Sequence, residues 1–118
     1  MSEFVHKRSI RPAYSQKGLA GYRFPLKNPN VGIYFVNVKQ GHDTFLISEK
    51  CTHIYYVLDG RGFFVVRNKK FPVKPGMLVE MPPRIEYTYS GRMKLLLIMN
   101  PTWFKGNDRL TKKNPSVK

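Results

Sequence analysis

Glycine and proline break this chain so often that a helix has no room to form. Nine of each are spread through 118 residues, and no window of eleven or more carries the apolar spacing of a helix face. Between the breaks lie short runs rich in β-branched and aromatic residues. They are Val31 to Val38, Thr44 to Ile47, Ile54 to Leu58, Phe63 to Val66, Phe71 to Val73, Met77 to Met81, Glu86 to Tyr89 and Met93 to Asn100. Short strands with turn residues between them predict one all-β domain, an antiparallel sandwich or barrel. Asp59-Gly60-Arg61-Gly62, Arg67 to Lys70 and Ser90-Gly91 read as the turns that join successive strands.

The flanks differ from this middle. Residues 1–30 are basic and rich in Gly and Pro, yet Tyr14, Tyr22 and Phe24 are too apolar for a free tail. They predict an arm that packs on the barrel, residues 31–104, or on a second subunit. Residues 105–118 hold a single leucine, Leu110, and read as a basic, flexible tail. Ile54 to Leu58 and Met93 to Met99 are apolar on both faces, and a strand of that kind needs cover on both. A barrel interior covers one face; a homodimer is expected to cover the other.

Charge and cysteine usage narrow the setting. Twenty-one Lys and Arg against seven acids give +14, a field that favours anionic partners. The cations are dispersed with no run longer than two, so a generally basic surface is the reading, with nucleic acid as a partner not favoured. One cysteine, Cys51, allows no internal disulfide, which with the absence of a signal-like N-terminus leads to an expected cytoplasmic location. No apolar run approaches the roughly 20 residues of a membrane-spanning helix, and no membrane partner is expected.

Two spacings then stand out. Gly41, five residues, Ile47-x-Glu49, three residues, His53, six residues and Gly60 form the first. Gly76, five residues, Pro82-x-Arg84, two residues, Tyr87, three residues and Gly91 form the second. Together they resemble the paired motifs of the cupin superfamily, which implies a cupin-type jelly-roll β-barrel. In that family two histidines, a glutamate and a further histidine hold one divalent metal. By the resemblance the four positions here are Ile47, Glu49, His53 and Tyr87, of which Ile47 cannot ligate and the Tyr87 phenol is a poor donor. The expectation is a metal-poor pocket with no cofactor; Glu49 and His53 are the pair that would hold a divalent metal weakly.

The same frame implies a pocket at the barrel mouth. Positions 53, 55 and 57 share a strand face by the period of two, so His53 and Tyr55 are expected there with Glu49 and Tyr87 beside them. Ile47 and Val57 would line it, and Arg84 on a nearby loop would clamp a carboxylate or phosphate. His42, at a turn, and His6, in the arm, receive no role. The leading function is binding of a small anionic, sugar-like or carboxylate ligand. One alternative is a sugar isomerase, epimerase or lyase with His53, Glu49 and Tyr87 as the acid–base set. The other is a nucleic-acid-binding basic barrel.

Overall fold

The computed structural model describes residues 4–118. Among these residues nine strands follow one another: β1 (Tyr14–Ser15), β2 (Leu19–Arg23), β3 (Gly32–Val38), β4 (Thr44–Ser48), β5 (Thr52–Val66), β6 (Lys69–Val73), β7 (Leu78–Met81), β8 (Tyr87–Asn100) and β9 (Asp108–Lys113). All pair antiparallel. The outcome is the all-β barrel-type single domain that the turn spacing predicts.

Two of these strands are far longer than the sequence runs suggested. β5 and β8 pair along nearly their whole lengths, from Thr52 with Asn100 to Val66 with Tyr87. Asp59-Gly60-Arg61-Gly62 is therefore no hairpin; it is the bend at which β5 passes from one wing of a curled sheet to the other, next to a bulge between Val57 and Asp59. Gly62 lies opposite Gly91 at the crossing. A Cβ on Gly60 would stand 2.1 Å from the Arg92 carbonyl oxygen, and one on Gly91 would stand 2.5 Å from that of Arg61. Glycine at these places lets two backbones approach as closely as a sharp bend demands.

Each wing takes half of the long pair. In the first, the later half of β8 pairs with β3 and the earlier half of β5 with β7; β2 and β1 extend the edge beyond β3. In the second, the later half of β5 pairs with β6, and the start of β8 meets β4, which pairs with β9. Alternation decides what faces the interior: Val36, Val38, Val57, Phe64 and Leu95 are fully buried. Each contributes roughly 1.5–3 kcal/mol of transfer free energy.

Tyr14 packs on the barrel, lying edge-on to Tyr34 at 5.6 Å between ring centroids. The C-terminal stretch differs from the flexible tail expected of its composition. Two asparagines hold it: Asn107 Oδ1 accepts from the Lys50 and Cys51 backbone N–H groups, and Asn114 Nδ2 donates to the His42 carbonyl at 2.9 Å. Both are buried, while every residue of β9 between them is exposed. A polar strand anchored at its two ends has no apolar periodicity to reveal it.

Backbone strain gathers at two turns. Arg67 and Asn68, with φ of 52° and 65°, connect β5 to β6, and Arg84, with φ of 68°, follows Pro82-Pro83. The left-handed region costs an L-residue about 1–2 kcal/mol, asparagine somewhat less.

Candidate functional site

A cavity of about 410 Å³ opens where the arm, β4, β8 and the segment before β9 meet. Its walls are largely aromatic: Tyr14, Tyr34, Tyr55, Tyr89 and Trp103, with Leu46, Leu97 and Met99. The polar groups are few, namely Gln16, Arg23, His42, His53 and Asp108. Such a proportion suits a ligand with one flat apolar part and one hydroxylated part.

His42 is held at both ring nitrogens. Its Nδ1–H donates to the Thr44 carbonyl at 2.9 Å, and its Nε2 lies 3.1 Å from Gln16 Nε2. The Asp43 backbone N–H donates to Gln16 Oε1 at 3.0 Å, which turns the NH₂ end of that amide towards the imidazole. Nε2 of His42 is thus the acceptor, a base lone pair covered by one side-chain amide. Burial holds the His42 pKa below its ordinary value, against the opposing pull of the Thr44 carbonyl and of Asp108 and Asp43. The ring is neutral at pH 7.

His53 is 4% exposed and stacks on Tyr55 at 6.0 Å. Burial lowers its pKa as well, opposed by Asp108. Among the described residues its Nδ1 has no hydrogen-bond partner, a condition that costs about 1–3 kcal/mol unless a ligand or water supplies one. Tyr55 and Tyr87 share a hydroxyl–hydroxyl bond of 2.6 Å. Burial raises both phenols, and Tyr89, well above the usual range, so all three are neutral donors. Asp108 sits at the rim, accepting from Trp103 Nε1 at 3.2 Å and from Asn107 Nδ2 at 2.8 Å.

Of the residues expected at the pocket, His53 and Tyr55 line this cavity. The others lie elsewhere. Val57 shares their strand face but is wholly buried beneath them, and Tyr87 backs Tyr55 from the core. Ile47 is on the outward face of β4, because Leu46 and Ser48 take the inward one. Glu49 turns out at the corner, where Arg109 Nε meets its carboxylate at 3.2 Å, so it makes no pair with His53. Arg84 lines a second, smaller cavity. Among the described residues no three His, Cys, Asp or Glu side chains converge as a metal group. The sequence reading passed over His42, Gln16, Tyr89 and Asp108. A histidine in a turn has no periodicity, and its partner Gln16 is 26 residues away in the chain.

No protein-family model matches the chain, and no curated sequence matches it. Solved structures do. Pac13, a nucleoside dehydratase, is similar with a TM-score of 0.81 at 20% identity over 98% of this chain and 92% of that one. Streptomyces PAC13 variants Y55F, Y89F and H42Q, solved with uridine, match equally well at 19% identity. KdgF from Halomonas sp. is similar with a TM-score of 0.67 at 14% identity over 83% and 88% of the two chains. Ectoine synthase from P. lautus is similar with a TM-score of 0.65 at 18% identity over 87% and 83%. These likenesses establish the fold.

Proposed function

On the premise that the chain has the cupin fold, we propose that it binds a nucleoside-like small molecule in the His42 cavity and eliminates water from it. The observation that carries this reading is a neutral imidazole, locked in one tautomer by the Thr44 carbonyl, whose acceptor Nε2 meets Gln16, both residues lining the cavity. Support comes from the numbering of the uridine-bound Streptomyces variants. This chain carries the same residue types at those numbers, and here His42, Tyr55 and Tyr89 line one cavity.

The chemistry follows from the groups present. An imidazole with a pKa under about 6.5 can deprotonate carbon only where a neighbouring carbonyl acidifies it. His42 Nε2 takes that proton as Gln16 swings aside. The electron pair forms a carbon–carbon double bond while the bond to the β-hydroxyl breaks. The imidazolium, stabilised by the Thr44 carbonyl at Nδ1, returns the proton to the departing oxygen, and water leaves with His42 regenerated. Neutral Tyr55 and Tyr89 hydroxyls serve as donors to the substrate oxygens. The aromatic walls hold the base, and an acidic substituent would meet Arg23.

The test has two readouts. Uridine titrated into the protein should move the imidazole resonances of His42 and His53 and leave those of His6 unmoved. A nucleoside oxidised to a carbonyl on its sugar should lose the mass of one water, and His42→Gln should slow this by about 10²–10⁴-fold. Unmoved resonances for both cavity histidines, or undiminished turnover in the variant, would sink the proposal.

A further inference from the structure

Among the described residues, the three that adopt positive φ without being glycine are Arg67, Asn68 and Arg84. All three line one cavity of about 230 Å³, with Phe45, Ile85 and Glu86. From this convergence we infer a second binding site, for the phosphate-monoester group of a small molecule, gripped by Arg67 and Arg84. None of its lining residues belongs to the His42 cavity, so the inference stands apart from the proposed dehydration.

The fold does not account for these arginines. A two-residue turn between antiparallel strands is met more cheaply by Asn-Gly, and a left-handed residue after two prolines by glycine. Arg84 contributes its backbone N–H to the Ser48 carbonyl at 2.8 Å, which any residue but proline would do. Neither guanidinium makes a hydrogen bond or ion pair among the described residues. Two strained positions therefore carry the side chain best shaped to bind phosphate through two parallel hydrogen bonds. Strain kept where it brings the fold no contact marks a functional site.

The charge fits a dianion. Glu86 is already engaged: Lys112 Nζ is 3.8 Å from one oxygen, and Thr111 Oγ1 donates to the other. Lys112 leans over the Phe45 ring at 4.6 Å, which brings a third cation to the border. Three cations against one carboxylate leave two positive charges, the match for a phosphate monoester, which carries close to two negative ones at pH 7. A diester or a carboxylate carries one. The volume is below the usual range of about 300–1,000 Å³ for whole ligands, so it seats a phosphoryl head with the apolar side of Phe45 and Ile85 against the body.

The probe is ribose 5-phosphate, titrated calorimetrically in phosphate-free buffer of low ionic strength, with ribose and dimethyl phosphate alongside. Saturable binding of the monoester is expected, with at least tenfold weaker binding of dimethyl phosphate and none of ribose. The double variant Arg67→Asn/Arg84→Gly should lose at least tenfold in affinity while its melting temperature holds or rises, since both replacements relieve the backbone. Absence of saturable binding by the unmodified protein overturns the site by itself. So does equal affinity for the diester, unchanged affinity in the double variant, or a fall in its melting temperature, which would give the arginines to the fold.

Discussion

At the scale of single residues, the cavity holds two imidazoles that differ in how they are tied. His42 has both ring nitrogens engaged, one by a backbone carbonyl and one by Gln16; among the described residues His53 keeps its Nδ1 unpartnered. Burial depresses both pKa values below about 6.5, the ordinary imidazole value. As pH falls through that value the unfolded chain takes up protons that the folded chain refuses, so stability drops on the acid side and is fully present above it. The midpoint of urea unfolding should fall as pH drops below about 6.5, and His42→Gln should flatten that slope. The rate of elimination should follow the same base, level near neutrality and declining in acid. A profile that rises as pH falls would remove His42 as the base. His53 and Tyr55 were legible in the sequence because the period of two puts positions 53 and 55 on one face. His42 was not, since its environment is assembled by Gln16 and Asn114 from distant parts of the chain.

At the scale of elements, the same contrast separates strands that composition reveals from one it hides. β3 and the later half of β8 are read directly from their apolar runs. The glycines at 60, 62 and 91 misled, because the residues that make a hairpin turn also permit a close crossing of two continuous strands, and only the partner strand decides between them. β9 has no apolar face, and the asparagines that flank it carry it instead. Asn114 Nδ2 lies within hydrogen-bond reach of the His42 and Tyr89 carbonyls and the Ser90 and Thr88 hydroxyls. Asn114→Ala strips donors from buried acceptors and should cost about 2–3 kcal/mol. Because one of those acceptors is the carbonyl of His42 itself, turnover should fall too. Urea denaturation with amide exchange across residues 108–113 measures both the loss and its place; a loss under about 0.5 kcal/mol would show that β9 rests on its ladder alone.

At the scale of the whole molecule, the outward face of the first wing is more apolar than a barrel exterior needs to be. Tyr56 and Leu58 on β5 are 38% and 45% exposed, and Met77 and Leu78 beside them 42% and 58%. Tyr56 pairs with Leu78 on one side and Leu96 on the other, and Leu96 pairs with Phe35, so the patch runs unbroken across four strands. Scattered apolar residues on a surface need no explanation, but a contiguous band points to an interface. A second copy is the partner proposed, since a sheet face set against itself about a two-fold axis buries the same residues twice. A stable contact of this kind covers about 800 Å² on each partner, within reach of a face four strands wide. The +14 charge opposes association, so dimerisation should strengthen with salt as the Debye length shortens, whereas binding of an anionic ligand should weaken. Sedimentation velocity should therefore give the mass of two 13.8 kDa chains, more completely at higher salt. Leu78→Glu, which sets a carboxylate in the middle of the band, should return a single chain that still binds ligand. Sedimentation as one chain at every salt concentration, or a Leu78→Glu variant that remains paired, would leave this face without the partner assigned to it.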